Sequence, residues 1–291
     1  MEPPFVAKGS ATTSFDAGTL LWQLNHPKTG ENPWFHPLAT PSGVEITRNR
    51  PWDHPWHRGL WFSWKYVNDV NFWNEDPRTG EPAGRVDVEF TGAAPTPAGG
   101  TTADLRLAWR DPAGNDLLYE RRRLTMGPVE SGCYRICWDS EFTAVADVAL
   151  TRTPRAHEPG GYAHGGYAGL CLRVVPSLAS PEYLGDGVVR GLDVHGRRSA
   201  WLLLASPLAE VAIMQHPENR DGPSPWHVFA RDYGPAQAGM GINPAPLFDG
   251  GWQLTAGERL RFRYAVVVAR GPLGERMDAL YGGYAGGHQP S

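Results

Sequence analysis

The chain lacks any apolar run approaching the roughly 20 residues that a membrane-spanning helix needs. Its N-terminus, MEPPFVAKGS, has no basic stretch leading into an apolar core, so no secretory leader is expected. Lysine is scarce: Lys8, Lys28 and Lys65 are the only three, arginine supplies the remaining cations, and the net charge is −4. With no basic face in the pattern, nucleic acid is not an expected partner. Cysteine is limited to Cys133, Cys137 and Cys171, which fits a reduced, cytoplasmic protein. Cys133 and Cys137 fall on one face of a strand, but no second Cys or Cys/His pair stands at zinc-finger spacing, so they read as small buried hydrophobes. The G-x-S-x-G elbow, the H-E-x-x-H zinc helix, the P-loop and the Rossmann glycine fingerprint are all missing. No nucleotide cofactor is therefore expected.

What is present is turn-rich and β-patterned. Gly (35) and Pro (27) make up about a fifth of the chain without a repeat, which points to many turns rather than to a fibrous or disordered tract. Tyr134, Ile136, Trp138, Ser140 and Phe142 alternate with Arg135, Asp139 and Glu141, a strand period. Leu105, Leu107 and Trp109 do the same, and Asp111–Asp116 is a turn leading into LLYERRRLTM, so 102–126 reads as a hairpin. Further strands are expected at 59–66, 85–91, 148–153, 168–175, 200–206, 209–215, 227–232 and 252–270. Long loops are expected at 92–100 and 154–167. One short helix is expected at 272–281, with Leu273, Met277 and Leu280 on one face and Gly282–Gly283 as its stop. The expectation is an all-β fold: one large antiparallel β-sandwich over 1–291, with irregular tails at 1–15 and 284–291 and one C-terminal helix.

The chemistry concentrates in three histidine-bearing segments. Trp34–Trp64 holds His36, His54, His57 and five tryptophans, and its Asp53-His-Pro-Trp-His57 knot is flanked by Arg50 and Arg58. Pro51 and Pro55 deny it a helix. The second segment, 156–167, carries His164 and Tyr162; the third, 214–231, carries His216, Trp226, His227 and Arg231. Imidazole serves as a general acid or base near neutral pH, or as a metal ligand. His54, His57, His164 and His216 are the catalytic candidates, with Arg58 and Arg231 to stabilise developing negative charge. His54 and His57, three apart across a proline, with Asp53 beside them, are also the one candidate set for a divalent metal. His36, Trp61, Trp64, Tyr162, Arg173, Trp226, His227 and Arg231 are the candidate binding wall. Trp61 and Trp64 fall on opposite faces of one strand, so one of the two at most faces a ligand. Asp53, Glu120, Glu158 and Glu218 are the carboxylates to consider for glycoside chemistry. His26, His195 and His288 are read as solvent-facing.

These segments resemble a bacterial family labelled "methane oxygenase PmoA"-like. The resemblance rests on Phe35-His-Pro-Leu, Pro41-Ser-Gly-Val, Asp53-His-Pro-Trp-His-Arg-Gly-Leu-Trp, Asn71-Phe-Trp73, Gly165-Gly-Tyr-Ala-Gly-Leu with Arg173, His216-Pro-Glu-Asn and Pro225-Trp-His227. In that family the knot often reads Asp-His-Pro-His-His; here Trp56 takes the middle place, which removes one ligand from any three-histidine metal site. A membrane methane monooxygenase subunit requires spanning helices, and this sequence has none. The resemblance implies instead a galactose-mutarotase-like supersandwich in a carbohydrate context. The leading expectation is an enzyme acting on a carbohydrate or glycosylated small molecule by histidine acid–base chemistry: epimerisation, elimination or hydrolysis. A His/carboxylate metal-dependent oxygenase, a tailoring enzyme of natural-product biosynthesis and a non-catalytic sugar-binding module remain alternatives. Oligomerisation through an exposed edge strand is allowed.

Overall fold

Alternation sets the architecture. In Cys133–Ala144 the apolar Tyr134, Ile136, Trp138 and Phe142 are all buried, while the charged residues between them face the other way. A strand of this kind needs a second sheet as cover for its apolar face. The computed structural model describes residues 5–8, 10–178, 182–186, 191–231 and 239–287, with side chains undescribed at 5–8, 230, 231 and 239.

The first sheet has eight antiparallel strands, in spatial order Phe5–Lys8, Ala11–Asp16, Thr19–Asn25, Trp34–Leu38, Leu60–Ser63, Gly169–Val174, Gly239–Pro244 and Trp226–Arg231. The second has Glu182–Gly185, Trp201–Ala205, Glu210–Gln215, Arg259–Ala269, Cys133–Ala144, Asp116–Met126, Thr101–Arg110 and Arg85–Pro95. A small third sheet joins Trp252–Leu254, Val148–Thr151, Tyr66–Val67 and Val70–Asn71. The two large sheets pack face to face. Phe62 of the first meets Phe142 of the second with ring centroids 5.3 Å apart, and Phe35 meets Trp138 at 6.4 Å. The Tyr134 hydroxyl crosses between the sheets to donate to the Leu21 and Ala39 carbonyls. Each such aromatic contact adds about 0.5–1.5 kcal/mol beyond area burial. The fold is all-β, with one short α-helix, near the C-terminus, among the described residues.

Three expectations differ from the structure. Residues 5–8 and 11–15, assigned to an irregular tail, lie in the strands Phe5–Lys8 and Ala11–Asp16, which pair with each other, the second also pairing with Thr19–Asn25 across a tight turn. Residues 92–95, assigned to a loop, continue the strand Arg85–Pro95 past an irregularity at Phe90/Gly92. The helix begins later and runs through the glycines: a 3₁₀ turn at Gly274–Arg276 leads into Met277–Ala285. Two interior glycines cost a helix about 1 kcal/mol each. Burial of Leu273, Met277 and Tyr284 on the outer face of the second sheet offsets that cost.

Candidate active site

The outer face of the first sheet carries the site. On Leu60–Ser63, Leu60 and Phe62 enter the core, so Trp61 points outward. On Gly169–Val174, Leu170 and Leu172 go in while Cys171 and Arg173 come out; on Trp226–Arg231, Trp226 and Val228 go in while His227 and Phe229 come out. The ladder then sets neighbours: Cys171 lies opposite Trp61, Arg173 and Phe229 both lie opposite Gly241, and His227 lies opposite Asn243. Gly241 is required there, since a Cβ on it would sit 2.1 Å from the Phe229 ring. Its absence lets the Arg173 guanidinium stack on Phe229 at 5.3 Å.

Loops wall this platform into a cavity of about 580 Å³. The knot contributes Asp53, His54, Trp56 and His57; the segment after Leu60–Ser63 contributes Lys65, Tyr66, Asn71, Trp73 and Asn74; the loop before Gly169–Val174 contributes Tyr162, His164 and Tyr167. Gly59 allows the turn from knot to sheet: at φ +86° it packs where a Cβ would lie 2.5 Å from the Phe35 carbonyl.

Arg173 organises the polar end. Its Nη2 donates to Asp53 Oδ2 at 2.6 Å, and its Nη1 donates to His57 Nδ1 at 3.3 Å. A guanidinium can only donate, so Nδ1 of His57 is the accepting nitrogen and the neutral ring carries its proton on Nε2. Burial, then the charge of Arg173, pushes the His57 pKa well below the ordinary histidine value. His57 is thus a fixed N–H donor at neutral pH. His54 has the opposite polarity. Its Nδ1 donates to Asp53 Oδ2 at 2.9 Å, which leaves Nε2 as the free nitrogen on a ring whose side chain is 37 % exposed. Burial alone would raise the Asp53 pKa, but the hydrogen bonds from His54 and Arg173 outweigh it and hold the carboxyl below its usual range. The stacked His54 and His57 rings, 4.7 Å apart, therefore present one basic nitrogen and one acidic one.

His227 is buried between Tyr167 and His195, with ring centroids 5.6 and 5.1 Å away. Burial, followed by the nearby His195, brings its pKa down to about 3. The backbone of His164 lies near enough to favour its protonation slightly, yet neither ring nitrogen completes a hydrogen bond with protein.

The structure brings His54, His57, His164, Tyr162, Arg173 and His227 to one cavity and leaves other candidates elsewhere. His216 follows a strand of the second sheet and packs against Tyr284 of the helix at 5.5 Å, on the far side of the sandwich. His36 is tied to Thr47 at 2.9 Å and does not line the cavity. Arg58 is a clamp: it donates to Glu31, Glu75 and the Pro55 carbonyl, and Arg50 binds Glu75 through two 3.0 Å bonds. Trp64 and Trp226 are core, as their inward register dictates. Trp61 lies beneath the site, supporting His57 at 5.0 Å and Trp73 at 5.4 Å rather than lining the cavity. The Arg231 side chain lies outside the described residues. Of the carboxylates considered, Glu120 is buried with Arg122, Trp109 and Ser140 in the second sheet, Glu158 clamps Arg152 and Arg155, and Glu218 pairs with Arg263. Asp53 is the one acid in the lining among the described residues. His26, read as solvent-facing, is buried and stacked on Phe90 at 4.0 Å.

Arg173 bears on any cation held through Asp53 Oδ2 or His57 Nδ1. Asp53 Oδ2 and His57 Nδ1 already accept from Arg173, and a cation there would face that guanidinium. Among the described residues no group of three or more His, Cys, Asp or Glu side chains is arranged to hold a metal.

Lys65 is a lining residue that is not among the sequence candidates. It is 2 % exposed, its Nζ donates to Asn74 Oδ1 at 2.6 Å, and it lies over the rings of Tyr66 (5.0 Å) and Tyr167 (5.4 Å). Burial brings its pKa down to about 8. The available signal was parity: 61, 63 and 65 share one face of the strand run.

A family model described as "Family of unknown function (DUF6807)" matches residues 12–281. The chain belongs to that family. The match carries no methane-oxygenase description, and among the described residues no helix is long and apolar enough to cross a membrane. No curated protein matches the chain. Among solved structures it is similar to a heparan sulfate lyase HepC mutant from Pedobacter heparinus, at 7 % identity and TM-score 0.45 over 90 % of this chain and 35 % of that one. It is also similar to the galactosidase domain of an α-galactosidase–sucrose kinase, at 10 % identity and TM-score 0.44 over 91 % of this chain and 42 % of that one. A putative kojibiose phosphorylase from the human microbiome gives 7 % identity and TM-score 0.33, over 97 % of this chain and 33 % of that one. The chain thus spans under half the length of each, and likenesses of this size carry no conclusion about activity.

Proposed function

We propose that this family member is a carbohydrate-directed enzyme that moves a proton at His54. The observation that carries the reading is the Asp53–His54 pair at an aromatic cavity. The carboxylate fixes the tautomer and leaves Nε2 free, the geometry of a general base. His57, locked as an Nε2–H donor by Arg173, suits stabilisation of the oxygen on which charge develops. Trp56, Tyr66, Trp73, Tyr162 and Tyr167 supply ring faces for the C–H surface of a sugar, and Asn71, Asn74, Asn243 and Thr153 supply polar groups for hydroxyls. A cavity of about 580 Å³ falls within the range of small-molecule sites.

Proton abstraction beside a carbonyl, leading to epimerisation or elimination, fits this set best. Hydrolysis by two flanking carboxylates fits poorly, because the one lining acid among the described residues is held by Arg173. A panel of sugars, glycosides and keto-sugars incubated in deuterated buffer tests the reading by NMR, through product formation and deuterium at carbon. His54→Gln should lower the rate on any active member by about 10²–10⁴-fold with the fold intact. Wild-type turnover in that variant, or saturable binding across the panel without product or exchange, refutes it.

A further inference from the structure

Lys65 has no role in the proton transfer assigned to His54, and its setting is unusual. It is an almost fully buried cation that lines the cavity, and among the described residues no carboxylate lies within ion-pair distance of it. Its protein partners are one amide oxygen and two aromatic faces. Those contacts are built rather than incidental: the Trp73 and Asn74 amides both donate to Asn71 Oδ1, at 2.9 and 3.0 Å, and this turn aims Asn74 at the ammonium. An ammonium has three donors, and Asn74 takes one. Of the other lining groups, Arg173 is matched by Asp53, and burial keeps His57 and His227 neutral near pH 7. Lys65 is thus a lining cation that, among the described residues, has no carboxylate beside it.

We infer that the cavity takes a sugar bearing a single negative charge, seated on Lys65 and Asn74, with the sugar ring lying along the aromatic wall towards His54. This deepens the function proposed above and rests on it for the word sugar. The path is marked by contiguous rings, His54 to His57 at 4.7 Å, His57 to Trp73 at 6.4 Å and Trp73 to Tyr167 at 5.0 Å, with Lys65 over Tyr167. One cation balances a monoanion, a carboxylate or a sulfate ester. A phosphate monoester carries nearly two charges near neutral pH and would leave one unmatched in a buried setting. A lysine brought down to about 8 by burial gains a charge partner when such a ligand docks.

Two measurements test this independently. Calorimetry compares methyl glucuronide and a methyl glucoside 6-sulfate with neutral methyl glucoside. The anionic sugars should bind about ten- to a hundredfold tighter than the neutral one, and Lys65→Met should bring that ratio near one. The carboxylate and sulfate arms identify which monoanion is preferred. Equal affinity for neutral and anionic sugars in the wild type, or an unchanged ratio in Lys65→Met, overturns the anion inference and leaves the sugar reading standing. Separately, ¹³C-lysine labelling gives resonances from just three lysines, and the spectrum of the Met variant assigns Lys65. Acetate, but not glycerol, should shift that resonance. If acetate shifts it while no sugar binds, the anion subsite stands and the sugar reading falls; if acetate leaves it unmoved, the subsite falls.

Discussion

Replacing Lys65 by Met should stabilise the protein at neutral pH. Met has a similar length and no charge to desolvate. A fall in pKa from 10.5 to about 8 corresponds to about 3 kcal/mol of burial cost, at about 1.4 kcal/mol per pH unit. The side chain is 2 % exposed, so solvent screening removes little of this. The substitution also leaves Asn74 Oδ1 without its donor and loses two cation–π contacts, together about 1–2 kcal/mol. The net gain is about 1–2 kcal/mol, or roughly 2–3 °C in Tm for a chain of this length. The sign follows from proton linkage. The folded state binds its lysine proton less tightly than the unfolded state, so the penalty is fully present below about pH 8 and disappears as pH rises towards 10.5. Urea unfolding of both proteins at pH 7, 8.5 and 10 should show a gap that narrows with pH. A less stable variant at pH 7, or a gap that stays constant, would refute the reasoning.

Asp53→Asn should strand the buried Arg173 guanidinium, cost about 3–5 kcal/mol in urea unfolding and free the His54 ring from its fixed tautomer. In the wild type, the contribution of Asp53 is present at neutral pH and should be lost as pH falls through its depressed pKa, below the ordinary 3.8. His227→Leu should reduce acid sensitivity: the unfolded histidine takes up its proton below 6.5 and the folded one only near 3, so wild type loses about 1.4 kcal/mol per pH unit in that window. A pH series of unfolding midpoints checks this. Arg58→Met should cost about 3 kcal/mol by leaving Glu75 short of its buried partner, and ligand affinity of the folded protein, read by calorimetry, should not change.

The strand alternation in Cys133–Ala144 and the hairpin at Thr101–Met126 were legible from period and turn residues alone, because both are local. The knot was legible as a cluster for the same reason: His54 and His57 are close in sequence, so they are close in space. Their roles were not. That His57 accepts at Nδ1 while His54 donates from its own depends in part on Arg173, 116 positions from His57 along the chain. His216 looked equivalent to His164 as a histidine beside a loop, but its strand belongs to the other sheet. Gly282 and Gly283 do not stop the helix, because packing on a sheet outweighs glycine propensity.

Residue order alone determined that this chain folds as stacked antiparallel strands and that an imidazole-rich, proline-stiffened turn precedes Leu60–Ser63, since period and turn chemistry act over a few residues. Tertiary structure alone decided which side chains share the outer face of the first sheet, that Gly241 makes room for Arg173 and Phe229, and that Lys65 meets no acid among the described residues. Those facts depend on register between strands far apart in the chain, and alternation within a strand says which face a residue takes but not what stands opposite it.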